Sequence, residues 1–145
     1  MRSSDRVKQF VQHTLGCSCP EEVFRSIDVS RNVRLNNFIA LDSAIVIGNR
    51  LLVYLAEAGS AGCIEEHLPL LVAAGKKERE MKGLNRFRLA LVVDDPEEVR
   101  HAAERQFEEL RGGDEKIHLH VIKKKENPFA TENAEKRQEG GKLGR

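Results

Sequence analysis

The chain has no tryptophan, one tyrosine and six phenylalanines, so aromatics make up only 5% of its 145 residues. Basic stretches have almost no aromatic residues between them, which argues against stacking on single-stranded nucleic acid. There is no excess of either charge: 24 Lys and Arg stand against 23 Asp and Glu, a formal +1. A balance this even excludes a strongly basic nucleic-acid binder and an acidic tail protein, so a nucleic-acid partner is not expected. No long apolar run occurs. The longest are about half a membrane span, so no transmembrane helix and no membrane partner are expected. The start, Met1-Arg2-Ser3-Ser4-Asp5-Arg6, is not followed by an apolar segment of secretory type. With only three cysteines, an odd number, the expectation is a reducing, cytoplasmic setting without a disulfide framework.

What is present is enough for one domain. Hydrophobic residues reach 40% against 32% charged, sufficient for one modest core. Ser4 is placed to cap a first helix, whose apolar face is Val7, Phe10, Val11 and Leu15, and Gly16 ends it. Cys19 reads as the cap of a second, short helix, with Pro20 first and Glu21 and Glu22 in its opening turn. Two β-rich runs, through Ile47 and from Arg50 to Leu55, flank Gly48-Asn49, a hairpin signal. Cys63 to Lys82 is helical in composition, with Pro69 expected to interrupt it or to mark its start. Phe87 to Val93 alternates as a strand. Asp95-Pro96-Glu97-Glu98 opens a helix with a reciprocal cap, lined by Val99, Ala103 and Phe107. Gly112-Gly113 turns the chain into a last strand, Ile117 to Ile122.

The expected architecture is a single α/β domain over residues 1–122. It holds an N-terminal helix, a β-hairpin and then β-α-β-α-β, in a mixed sheet of about five strands. Residues 123–145, rich in Lys, Glu, Asn and Gly, are expected to form a disordered polar tail.

Sites in parallel sheets gather beyond the carboxyl ends of strands. Here those ends offer Gly59, Ser60 and Gly62 before a helix, and Asp94 with Asp95. A small ligand could bind across the two loops. The alternative for the first is a plain strand-to-helix turn, since neither a dinucleotide fingerprint nor a P-loop is present. Leu91-Val92-Val93-Asp94-Asp95-Pro96 resembles the opening strand of response-regulator receiver domains, where an acidic pair helps hold magnesium. That family places a phosphate-accepting Asp at the end of a later strand. No Asp follows Asp114 here, so its phosphotransfer is not carried over. The order helix, three strands, helix, strand is similar to a nuclease core with Asp and Glu-x-Lys on neighbouring strands. Asp42 would stand for the first acid, but Glu57 is followed two residues later by Gly59, and the nuclease lysine is missing.

The cysteines carry the most pointed chemistry. A thiolate at Cys19 would be stabilised by the start of its helix, and Cys17 with Cys19 could cycle between dithiol and disulfide. Alternatively the pair could supply soft ligands to a metal ion, with His13 one turn before Cys17 as a third ligand and Cys63 or His67 as a distant fourth. The plainer reading is small, half-buried residues at a tight turn. Cys63, at a helix start, is a further candidate thiol. His118 and His120 share one face of the last strand, a metal spacing that polar residues on an edge strand also explain. Lys123 to Lys125 with Lys76, Lys77, Arg79 and Lys82 read as a solvated face balanced by neighbouring glutamates.

The leading expectation is therefore thiol-based redox or metal binding at Cys17-x-Cys19. The alternatives are a non-catalytic interaction module, homo-oligomeric through an open sheet edge, and a small-ligand binder at the strand ends. No complete catalytic constellation is visible, which argues against an enzyme.

Overall fold

The computed structural model describes residues 3–17, 20–35, 39–58 and 61–130, with the side chains of residues 3 and 61–63 left out. Helix α1 (Ser3–Gln9) runs into a π-helical turn, Phe10–Thr14, and a 3-10 turn follows at Glu21–Arg25. The sheet contains β1 (Ile27–Arg34), β2 (Ala40–Ile47), β3 (Leu51–Glu57), β4 (Arg86–Val93) and β5 (Ile117–Lys123). Helices α2 (Ala61–Met81) and α3 (Pro96–Arg111) connect β3 to β4 and β4 to β5.

Strands lie in sequence order, β1-β2-β3-β4-β5. The first three pair antiparallel and the last three parallel. This is the expected mixed five-stranded α/β sheet. Gly48 and Asn49 both have positive φ, the mark of the two-residue turn that suits right-twisted hairpins. Gly48 also packs so closely that a Cβ would lie 2.7 Å from the Val23 carbonyl oxygen. β3 and β4 are almost wholly buried because both of their faces are covered. On one face Leu52, Tyr54, Phe87, Leu89 and Leu91 pack under α2 and α3. Two crossovers of the same hand place both helices on that side. On the other face Leu51, Val53, Ala90 and Val92 meet Val7, Phe10, Val11 and Leu15 of the N-terminal helical segment.

Several expectations change. β1 was not foreseen: it is an edge strand with mostly exposed or half-buried side chains, so it lacks a strong apolar pattern. Pro69 does not break α2. Proline has no N–H to offer the carbonyl four residues earlier. That carbonyl, on Glu65, instead accepts a hydrogen bond from Gln106 Nε2 of α3 at 2.8 Å. The second short helix is a five-residue 3-10 turn capped at Pro20, one residue later than expected. Asp95 does occupy the N-cap of α3, but its side chain makes no capping bond, so the reciprocal cap does not form.

Packing also extends past the expected boundary at 122. β5 runs to Lys123, a 3-10 turn covers Lys124–Glu126, and Phe129 is only 3% exposed. Asn127 is buried, donating from Nδ2 to Asp42 Oδ2 at 3.1 Å and accepting from the Phe129 N–H at 2.8 Å. Arg31 lies 4.3 Å from the Phe129 ring centroid. The rest of the expected tail, 131–145, lies outside the described residues.

Two outcomes follow for stability. Phe129→Ala removes the ring that ties this last segment to the sheet and should cost about 3 kcal/mol in urea unfolding. An unchanged midpoint would show that the segment does not dock. Gly75 of α2 faces the Phe87 ring, and a Cβ there would lie 2.1 Å from it. Phe87 is fully buried and holds Tyr54 edge-on at 5.0 Å, so it has little room to give. Gly75→Ala should therefore destabilise by about 1–2 kcal/mol, overpacking outweighing the gain of about 1 kcal/mol in helix propensity. A stabilised variant would refute the tight approach.

Candidate functional site

The feature that stands out chemically is one arginine in the middle of the sheet. Arg88 sits in β4 between Phe87 and Leu89 and is 9% exposed. Strand alternation sends its side chain to the α1 face, like Ala90 and Val92. Its Nη1 donates to the Leu15 carbonyl at 3.0 Å and lies 2.9 Å from His120 Nε2. Arginine can only donate, so Nε2 of His120 must accept and the imidazole proton belongs on Nδ1. Burial, followed by the charge of Arg88 and the presence of His118, pushes the His120 pKa down to about 4. Burial and repulsion from Arg86 also lower the Arg88 pKa. The Arg88 Nε is buried and has no hydrogen-bond partner.

Arg88 lines a cavity of about 380 Å³ with Gly16, Cys17, Pro20, Val23, Arg50, Leu51, Asn85 and Arg86. The hairpin turn delivers Arg50 to the start of β3. The Arg50 carbonyl accepts the Asn85 and Arg86 amides at 2.8 and 3.0 Å, which fixes the two strand starts together. Leu51 and Arg86 are register partners. The Arg50 and Arg86 side chains are exposed and make no hydrogen bond or ion pair among the described residues. Among the described residues no carboxylate lines the cavity. Three arginines thus line one recess without a counter-charge among the described residues, an arrangement suited to an anion because guanidinium forks match carboxylate and phosphate oxygens.

The described residues among those singled out from sequence do not gather at one site. Cys17 is half-buried at the wall of this cavity and is disulfide-bonded, against the expectation of reduced thiols. Its bonding partner lies outside the described side chains. Cys19, Gly59 and Ser60 lie outside the described residues, as do the side chains of Cys63 and Gly62. His13 is exposed. Among the described residues no three His, Cys, Asp or Glu side chains gather as a metal site.

At the carboxyl ends of the strands, a cavity of about 100 Å³ is lined by Glu57 and His67 but by neither Asp94 nor Asp95. Asp94 instead pairs with Lys124 at 3.1 Å. Asp42, the would-be nuclease acid, pairs with Arg31 and accepts from Asn127. His118 and His120 do share a face, but His120 turns inward to Arg88 rather than to water. The supposed basic face is largely paired: Arg79 with Asp114 at 2.6 Å, Lys82 with Glu78 at 2.7 Å, and Lys76 on the Leu110 carbonyl at 3.0 Å.

The arginine cavity escaped sequence reasoning. The available signal was Arg86-Phe87-Arg88 entering a strand otherwise built of Leu, Ala and Val. A charge in a strand covered on both faces needs a buried partner or a ligand. Compared with known proteins, the chain matches no family model, no curated protein and no solved structure.

His120 gives a pH signature. Its folded pKa near 4 lies below the ordinary value near 6.5, so the unfolded chain binds the proton first. The stability from the neutral imidazole is complete above pH ~6.5 and is lost as pH falls toward ~4, about 3 kcal/mol in all. Urea unfolding across that range should show the loss. His120→Gln, which keeps an acceptor for Arg88 but does not titrate, should flatten the curve. An identical slope in the variant would refute the buried neutral histidine.

Proposed function

We propose that the protein binds a small anion, a phosphate- or carboxylate-bearing molecule, in the recess lined by Arg50, Arg86 and Arg88. The observation that carries this reading is that Arg50, Arg86 and the buried Arg88 line one recess, with no carboxylate among the described residues that line it. Burying a cation costs several kcal/mol unless hydrogen bonds and opposite charge offset it. Here the Leu15 carbonyl and His120 supply neutral acceptors only, so an anion would complete the site. The volume falls in the range of small-ligand pockets, which begins at about 300 Å³. The recess opens at the amino ends of β3 and β4, opposite the strand ends where a ligand loop is expected from the α/β pattern alone.

Calorimetric titration with inorganic phosphate and with succinate, in low-salt buffer, tests the reading. Binding of either should raise the unfolding temperature and weaken with added chloride. The double variant Arg50→Gln, Arg86→Gln should lose about 10- to 100-fold in affinity, the worth of one or two charge-assisted hydrogen bonds. Both replaced residues are on the surface, so the variant should keep its fold. No binding of either anion at millimolar concentration, or equal affinity in the variant, would overturn the proposal.

A further inference from the structure

The recess at the strand starts is rich in hydrogen-bond donors and poor in acceptors. Arg50, Arg86 and Arg88 line it, and arginine can only donate. Among the described lining residues, the one oxygen that side chains offer as an acceptor is that of the Asn85 amide. The Arg50 carbonyl is already taken by two amides, those of Asn85 and Arg86. The rest of the lining includes Pro20, Val23 and Leu51.

These apolar residues stand beside the cations. Leu51 and Arg86 are register partners in the parallel β3–β4 pair, so their side chains leave the same face of the sheet, and alternation adds Arg88 to that face. Leu51 is buried. Pro20 caps the 3-10 turn Glu21–Arg25, which carries the half-buried Val23. The hairpin closes on that turn: Gly48 packs against Val23 with no room for a Cβ. A phosphate group fills on the order of 100 Å³ at ~30 Å³ per water-sized unit. The cavity holds about 380 Å³, so most of it is left for whatever carries the anion.

We propose that the anion held here is a phosphate monoester with an apolar, hydroxyl-free body, its phosphate on Arg50 and Arg86 and its body against Pro20, Val23 and Leu51. This rests on the anion-binding reading above and names its ligand class. Charge selects phosphate over carboxylate: a monoester carries nearly two negative charges at neutral pH and three strong acceptor oxygens, enough to engage more than one guanidinium. The shortage of acceptors selects the body. Each hydroxyl of a sugar phosphate brings a donor that must find an acceptor, and every one left unmade costs roughly tenfold in affinity. An alkyl or aryl body has no such need and gains with each methylene buried.

The test titrates the full chain calorimetrically, in low-salt buffer, with inorganic phosphate, methyl, propyl and butyl phosphate, glucose 6-phosphate and pentanoate. From methyl to butyl phosphate, affinity should rise about threefold per methylene. Glucose 6-phosphate should bind no tighter than inorganic phosphate. Pentanoate, with the same butyl body and one charge, should bind about tenfold more weakly than butyl phosphate. Val23→Thr keeps the side-chain shape and adds a hydroxyl, so it should flatten the chain-length series and leave inorganic phosphate unchanged. If that variant does not fold, Pro20→Ser at an exposed position makes the same change. Affinity independent of chain length, glucose 6-phosphate matching butyl phosphate, or pentanoate matching it would each overturn the inference and leave the anion site standing. Butyl phosphate binding that survives Arg50→Gln, Arg86→Gln, or no binding of any phosphate, sinks the anion site as well.

Discussion

The arrangement of the α1 face depends on one buried cation. Arg88 occupies a position where its neighbours on the same face are Ala90 and Val92, and where a leucine would pack without electrostatic cost. Its guanidinium must therefore be satisfied from three directions. The Leu15 carbonyl supplies one, and in doing so fixes where the N-terminal helical segment ends over the sheet. His120 supplies the second, which sets the imidazole tautomer and keeps it neutral. The third direction, from Nε, has no protein partner. Both bonds are made by Nη1, and the residue as a whole lines the recess together with Arg50 and Arg86.

The two faces of the sheet solve different problems. Under α2 and α3 the interface is apolar and close, down to Gly75 against Phe87, with Tyr54 sending its hydroxyl to Glu78 and to the Ala74 carbonyl. Burial and the Glu78 carboxylate push the Tyr54 pKa up, so the phenol stays a neutral donor. The opposite face is covered by short pieces: α1 with its π turn, a 3-10 turn, and the segment around Asn127 and Phe129. Short pieces leave gaps between them. The recess at Arg88 is one such gap, and it lies where the chain leaves the first helical segment at Gly16 and Cys17.

Much of the framework was readable because local and global preferences agree. Gly48-Asn49 can adopt the left-handed angles a tight hairpin needs, Pro96 suits a helix start, and the apolar runs of β3 and β4 suit central strands. Three features were not readable. β1 is held by pairing with β2, not by an apolar stripe, so its composition resembles a loop. α2 passes through Pro69 because a glutamine 37 positions further along satisfies the freed carbonyl, a tertiary event. The arginine cavity joins the turn at Gly16 and Cys17 to Arg50 after the hairpin and to Arg86 and Arg88 of β4, which no local spacing connects. The cysteine turn attracted interest for its residue types. What the sequence could not supply was its neighbour: Cys17 lines a cavity with arginines, and among the described residues no metal cluster forms.

The position of the recess also explains why a general α/β rule points elsewhere. At the carboxyl ends of β3 and β4, helix starts offer unpaired amides, and anions usually gather there. In this chain the connection after β4 is short and acidic, Asp94-Asp95-Pro96, and Lys124 is paired with Asp94. The start of α3 therefore sits beside two carboxylates. At the amino ends the helix C-termini carry partial negative charge, which would repel an anion. Lys76 donates to the last carbonyls of α3, Leu110 at 3.0 Å and Arg111 at 3.4 Å, and offsets that charge. Both helices pack on the other face of the sheet, although Glu104 and Glu108 of α3 line a second cavity with Arg88. On the anion-binding reading proposed above, side-chain charge on the α1 face takes over the role that helix amides fill in other sheets of this class.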